Sequence, residues 1–299
     1  MLSVKNVTKY YGDLLAVDDL SFDIFEGEIF GLLGVNGSGK TTTFRMIMGL
    51  LDKSKGEIFL NNKKIDYSVT DSIGFLTEER SLLLNKTVLE QAYLYGTLKG
   101  MKSKDIEEKL DKYLKEFKIE EYKNKKIKEL SKGNQQKIQF IMSILHSPKL
   151  LILDEPFSGL DPINVDMFKK VILRLKKEKT IIIFSSHMME HIEYFCDSLI
   201  ILVKGKSVLQ GKLSKIKSDY KTKNIIVEAN VDEAKINKIK GVISVEKTQE
   251  KYTIKVEDIK YVSEVFKEIS KCDNVTKFVV EEPTLNEIFI SKVGEAYEN

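Results

Sequence analysis

The hydrophobic pattern changes period several times along the chain, and each change predicts an element. LSFDIF, Leu20 to Phe25, alternates apolar and polar positions, the two-residue period of a half-buried strand. EIFGLLG, Glu28 to Gly34, then runs apolar into a glycine-rich loop. Beyond Lys40 the spacing becomes helical, with Phe44, Ile47, Met48 and Leu51 recurring at intervals of three and four. GEIFLNNKKI predicts a hairpin that turns at Asn61 and Asn62. From about Thr87 to Ser147 the pattern stays helical and strongly charged, as in DIEEKLDKYLKEF. Two buried runs follow, LLILD at Leu150 to Asp154 and TIIIF at Thr180 to Phe184, separated by the amphipathic FKKVILRLKKE. Strand, helix and strand at this spacing predict a parallel sheet with crossover connections.

Lys204 to Lys223 is lysine-rich and offers little core. Two domains are therefore expected, over residues 1–212 and 224–299, with 213–223 as a linker. The second restarts as IIVEA, DEAKINKIKG, VISVEK, YTIKVE, VSEVFKEIS and TKFVVEE, a β-α-β-β-α-β order that predicts a ferredoxin-like α+β domain. A last helix opens with Thr284 and has Glu287 three residues later, a capping-box pairing, with Leu285, Ile288 and Phe289 on one face.

Composition narrows the class. With 42% hydrophobic and 31% charged residues, the chain reads as soluble and globular. Its 48 basic and 45 acidic residues nearly balance, so nothing asks for a nucleic-acid partner. Cys196 and Cys272 stand far apart, which fits a reduced cytosolic protein better than a disulfide or metal framework. No apolar run approaches the ~20 residues of a membrane-spanning helix. MLSVKNVTKYYG has no apolar signal core. The expected location is the cytosol, unless a partner holds the chain at a membrane.

The chemistry lies in three places. GVNGSGKT, Gly34 to Thr41, fits G-x-x-x-x-G-K-[ST] between a predicted strand and a predicted helix. Gly34, Gly37 and Gly39 let the backbone around Val35, Asn36 and Ser38 curl with its N–H groups inward around phosphate. Lys40 can reach the β- and γ-phosphates, and the Thr41 hydroxyl can ligate Mg²⁺; Thr42 follows in the first helical turn. LLILDEP ends a buried strand in Asp154, at the sheet edge where open α/β sheets bind ligands. Asp154 would help hold Mg²⁺, and Glu155 is the natural general base for an attacking water. Third, LSKGNQQK, Leu130 to Lys137, reads as a helix start, a second anion-binding feature in one chain.

Together these residues resemble the ATP-binding subunits of ATP-binding-cassette (ABC) transporters, over about Met1 to Lys212. The resemblance implies an α/β P-loop cassette with a parallel sheet core, an antiparallel β subdomain and a helical subdomain. LSKGNQQK corresponds to the family signature LSGGQ, which contacts an ATP held by a second, head-to-tail subunit. That answers the doubled phosphate site: Ser131 and the Gly133 backbone would meet the partner's γ-phosphate. Tyr11 matches the residue that stacks on adenine, Asp161 in SGLD the loop that communicates across the dimer, and His187 the switch histidine. ATP and Mg²⁺ are the implied ligands. A second ATP-binding subunit and separate integral membrane permease subunits are the implied partners, at the cytoplasmic face of the membrane. PTLNEIFISKVG resembles the C-terminal extension of drug- and sodium-efflux ATPase subunits, which implies export.

The match has departures. Lys132 replaces a usual glycine and Asn134 a usual glutamine; Lys132 either adds attraction to the partner's ATP or points into solvent. The usual glutamine of the loop that senses the membrane subunit falls on Glu78, in IGFLTEER, a carboxylate that can still ligate Mg²⁺; Glu79 is the alternative. HMMEH spaces His187 and His191 as some zinc sites do, but lacks a third ligand, and His191 and His146 are expected to be structural. The accessory domain shares its β-α-β-β-α-β order with RNA-binding modules, but YTIKVE lacks their aromatic and glycine pattern. KNKKIKEL and KLSKIK are expected to be solvated faces, with anionic lipid headgroups as a weak alternative. The rivals are a soluble ABC ATPase acting on ribosomes or DNA, and a module that senses ATP without hydrolysing it. Intact Lys40, Thr41, Asp154, Glu155 and His187 oppose the second.

Overall fold

A computed structural model describes residues 1–79, 81–249 and 251–298. In chain order its elements are β1 (Leu2–Tyr11), β2 (Leu14–Ile24), β3 (Ile29–Gly34), α1 (Lys40–Ile47), β4 (Lys55–Leu60), β5 (Lys63–Lys64), β6 (Ile73–Leu76), α2 (Val88–Leu98), α3 (Ser103–Glu116) and α4 (Lys132–Ile144). There follow β7 (Leu150–Asp154), α5 (Pro162–Lys177), β8 (Ile181–Ser185), α6 (Met189–Phe195), β9 (Ser198–Val203), β10 (Lys206–Lys212) and α7 (Leu213–Asp219). The last are β11 (Lys223–Glu228), α8 (Glu233–Ile236), β12 (Val242–Thr248), β13 (Lys251–Val256), α9 (Val262–Ile269), β14 (Lys277–Glu281) and α10 (Leu285–Glu298). The chain forms two compact units that divide between Gln210 and Gly211.

The first unit is built on a six-stranded sheet in the order β10-β9-β3-β8-β7-β6. From β9 to β6 the pairs are parallel. Every residue of β8 and β9 is buried, which is why these strands read as unbroken apolar runs. A second sheet, β2-β1-β4-β5, is antiparallel where its pairs are recorded. Its apolar face shares one core with α1 and the large sheet; Phe22 of β2 stacks on Phe30 of β3 at 4.9 Å. The expected hairpin is β4–β5, and Asn61 and Asn62 hold φ of 49° and 64°, the doubly left-handed turn that asparagine tolerates.

Rings connect the helical subdomain to the sheet. Phe140 of α4 stacks on Phe168 of α5 at 4.6 Å, and Phe117, after α3, meets both. Phe157 then contacts Phe168 at 6.2 Å and Phe184 of β8 at 5.7 Å. Phe168 is wholly buried, so truncating it to alanine costs ~3–5 kcal/mol.

The second unit has the expected strand–helix order, and its sheet runs β12-β13-β11-β14 with every pair antiparallel, the ferredoxin-like arrangement. Ile225, Val227, Ile254 and Val256 form its core with Val265 and Ile269 of α9. Thr284 and Glu287 make the expected capping box on α10: Glu287 N donates to Thr284 Oγ1 at 3.2 Å, and Thr284 N donates to Glu287 Oε2 at 2.8 Å. The span 213–223 differs from a plain linker. It holds α7, whose Leu213 and Ile216 are buried; two apolar residues spaced by three among lysines are enough for one short amphipathic turn.

Candidate nucleotide site

Three parallel strands end side by side, and each delivers part of the site. β3 ends in Gly34 and passes through Val35–Gly39 into α1. A Cβ on Gly34 would lie 2.5 Å from the Leu202 carbonyl oxygen, and one on Gly39, at φ 101°, would lie 2.6 Å from that of Ala16. Only glycine lets this loop press so close to its neighbours. Lys40 curls back over the loop, its Nζ donating to the carbonyls of Gly34 at 2.5 Å and Val35 at 3.3 Å. Burial pulls the Lys40 ammonium below the ordinary lysine range, against the opposing fields of Asp154, Glu155 and Glu78.

β7 ends in Asp154, paired in register with Ser185 at the end of β8. Ser185 Oγ donates to Asp154 Oδ1 at 2.5 Å. Burial nonetheless raises the Asp154 pKa, against that hydrogen bond. Glu155 takes φ 50°, a left-handed conformation uncommon for a non-glycine residue, and its N–H donates to the Ser185 carbonyl at 3.2 Å. His187 Nε2 lies 3.8 Å from Glu155 Oε1; the imidazole is 59% exposed and the carboxylate 14%. Burial also raises the Glu155 pKa, against the field of His187. A carboxylate in this setting holds a proton more readily than one in water.

These groups line one cavity of ≈ 470 Å³. Its wall takes in Tyr11, the loop from Asn36 to Thr42, Glu78, Asp154, Glu155 and His187. Gly34 and Val35 are absent from that wall, and their carbonyls accept from Lys40 Nζ. Tyr11 is 44% exposed, and Lys9 Nζ sits 5.3 Å from its ring centre. Leu14, Leu15, Ala16 and Lys204 line the same cavity, and nothing in the local sequence marks them.

Ser131, Lys132, Gly133, Asn134 and Asp161 are absent from that wall. Ser131 caps α4, its hydroxyl accepting from Asn134 N at 3.3 Å. Gly133 faces Leu160 and Asn164, whose backbone N–H donates to the Asp161 cap at 2.9 Å. Two further residues of α4 bond to the backbone next to Glu155 and on either side of Glu78. Gln136 Nε2 donates to the Pro156 carbonyl at 3.2 Å, and Gln139 Nε2 to the Thr77 and Glu79 carbonyls, each at 3.1 Å. The only local sign of either contact is a pair of glutamines three apart in a helix whose following residues run IQFIMSI, since buried amides need partners. His191 packs edge-on to Phe157 at 4.7 Å, and His146 Nε2 bonds to the Ile73 carbonyl oxygen at 3.1 Å.

A phosphate-cradling loop between strand and helix, beside an acidic strand end on a parallel sheet, defines a P-loop nucleotide-triphosphate cassette. Residues 17–158 match the ABC transporter family, and residues 211–293 the family described as ATP-binding protein DrrA1-3-like, C-terminal domain. The chain is 45% identical over 298 residues, all of both chains, to the uncharacterized ABC transporter ATP-binding protein YhaQ of Bacillus subtilis strain 168. A solved ATP-binding subunit of an ABC transporter superposes with TM-score 0.70 at 30% identity, over 74% of this chain and 93% of that one. The MJ0796 cassette, a dimer in a post-hydrolysis state bound to ADP and Pi, gives TM-score 0.65 at 25% identity, over 71% of this chain and 99% of that one. The chain belongs to the family of ABC transporter ATP-binding proteins, and it is an ABC-type ATPase.

Proposed function

We propose that this chain works as one half of a head-to-tail ATPase dimer beneath separate membrane subunits, and that the transport it drives is export. The observation that carries the pairing is the separation within one chain: the cavity wall holds the glycine loop, Asp154 and Glu155, while Ser131 to Asn134 lie outside it. A second chain would bring its own Ser131 and Gly133 to the phosphate chain, at a helix start that favours anions.

Within the cavity, Tyr11 would stack on the base, the Asn36–Thr42 backbone would cradle the phosphates, and Lys40 would offset their charge. Glu155 would accept the proton of the attacking water, and His187 would steady that carboxylate and the leaving phosphate. Asp161 would hold the loop facing the partner. The donor set fits Mg²⁺: the Thr41 hydroxyl and the Asp154 and Glu78 carboxylates are hard oxygens on one wall. Thr41, Asp154 and Glu78 would hold the ion, which would supply charge neutralisation for the phosphate oxygens.

Among the described residues no helix is long and apolar enough to cross a membrane. An apolar groove lined by Met48, Leu50, Phe75, Tyr95 and Met142 supports docking of a membrane subunit, since it opens beside the Glu78 loop at Thr77. The export assignment rests on the resemblance of the C-terminal extension to those of efflux subunits.

The test uses tagged Glu155→Gln protein, held with ATP and Mg²⁺ and pulled down from detergent-solubilised cells. Co-purification of a polytopic membrane protein is the expected result. Ribosomes or nucleic-acid proteins in its place would reassign the chain to a soluble role.

A further inference from the structure

We infer that Lys204 is a second phosphate-binding cation of the nucleotide cavity, carried on the β9–β10 turn and clamped against the glycine loop. This rests on the cavity being the ATP site.

The turn is a two-residue hairpin, with Lys204 at φ 48° and Gly205 at φ 81°. Its placement is fixed from both sides. Gly205 N donates to the Ser38 carbonyl at 3.1 Å, and Asp18 N donates to the Gly205 carbonyl at 2.9 Å. The approach is too close for a side chain, because a Cβ on Gly205 would sit 2.7 Å from the Ala16 carbonyl oxygen. The strand beneath is equally set: Leu202 pairs in register with Gly34, where the glycine loop begins. Lys204 follows two residues later and lines the cavity together with Ala16 and Gly39.

Charge gives the position its meaning. The cavity wall carries three carboxylates, Glu78, Asp154 and Glu155, and two ammonium groups, Lys40 and Lys204. A nucleoside di- or triphosphate brings more negative charge into this setting, and an exposed lysine on a fixed turn meets it with little backbone ordering to complete. No regular spacing would reveal such a residue, since its neighbours in the cavity come from β2 and the glycine loop.

The test measures binding of ATP, ADP and adenosine by calorimetry to wild type, Lys204→Asn, Lys204→Arg and Lys40→Ala. Asparagine tolerates the left-handed turn and removes the charge, and thermal melting checks that the fold is retained. The expected result is ATP and ADP binding about threefold to tenfold weaker in Lys204→Asn, with adenosine unchanged and arginine restoring affinity. Wild-type ATP affinity in Lys204→Asn, with binding lost in Lys40→Ala, overturns the inference and leaves the cavity reading standing. Equal weakening for adenosine and ATP also overturns it, because the contact is then not to phosphate. Unchanged affinity in both Lys204→Asn and Lys40→Ala overturns the cavity reading and the inference with it.

Discussion

Gln139 Nε2 donates to the Thr77 carbonyl at 3.1 Å, joining the helix that begins at Lys132 to the loop that carries Glu78. Gln139 is buried, so removing its amide takes the side-chain donor from the Thr77 carbonyl, while the Glu79 carbonyl keeps the Thr77 hydroxyl. Gln139→Leu is expected to lower stability by about 1–2 kcal/mol in urea melts. It should also reduce ATP turnover more than ATP affinity, because the Glu78 loop loses its anchor. Turnover at the wild-type level in the folded variant would confine Gln139 to packing.

Glu155→Gln keeps the shape of the left-handed corner after β7 and removes the proposed proton acceptor. Phosphate release should fall by about 10²–10⁴-fold while ATP still binds. Near-normal turnover would take the general-base role away from Glu155.

Glu78 adds a carboxylate to a wall that already holds two, Asp154 and Glu155. Glu78→Gln should therefore improve ATP binding in EDTA by about 1 kcal/mol and weaken the gain that Mg²⁺ provides. The ratio of ATP affinities with and without Mg²⁺, compared between the two proteins, reads this directly. An identical ratio would mean that Glu78 touches neither ion nor phosphate.

Burial pushes His146 down to about 4 from an ordinary value of 6.5, helped by the nearby charge of Lys99 and only partly opposed by its bond to Ile73. The unfolded chain binds this proton more readily, so stability rises with pH between those two values and is lost as pH falls through them. The expected change in stability across that window is on the order of 3 kcal/mol. His146→Gln should flatten the pH dependence of urea melts there; an unchanged slope would exclude His146 as its source.

Burial opposes ionisation of Glu287, but bonds from Lys255, Asn224 and Thr284 outweigh it and hold the carboxyl at about 2. The stabilisation is present above about pH 4.5 and is lost as pH falls towards 2. Glu287→Ala should cost the second unit about 1–2 kcal/mol and increase amide exchange in α10. Unaltered exchange would show that Leu285 and Ile288 alone seat the helix.

What could be read in advance was local. β7 and β8 announced themselves because strands covered on both faces have no polar positions to confuse the period. The glycine loop was legible because its chemistry is contiguous from Gly34 to Thr41. Contacts between distant segments were not: Gly205 on Ser38, Gln136 on Pro156 and Gln139 on Thr77 each join stretches whose own patterns carry no trace of the partner. α7 was missed for a different reason. Its two apolar anchors, Leu213 and Ile216, are too few to stand out against the lysines around them.

The line of rings from Phe140 through Phe168 and Phe157 to Phe184 has a mechanical consequence. Close-packed aromatic contacts compress little and transmit displacement. Phe140 rides on the helix that starts next to Ser131, and Phe157 stands two residues beyond Glu155. In the proposed pair, the ring line in the first unit of each chain would run stiffly from beside its own ATP towards its neighbour's. A tilt set by one nucleotide would arrive at the second without passing through a hinge, so the two sites would answer as a single lever.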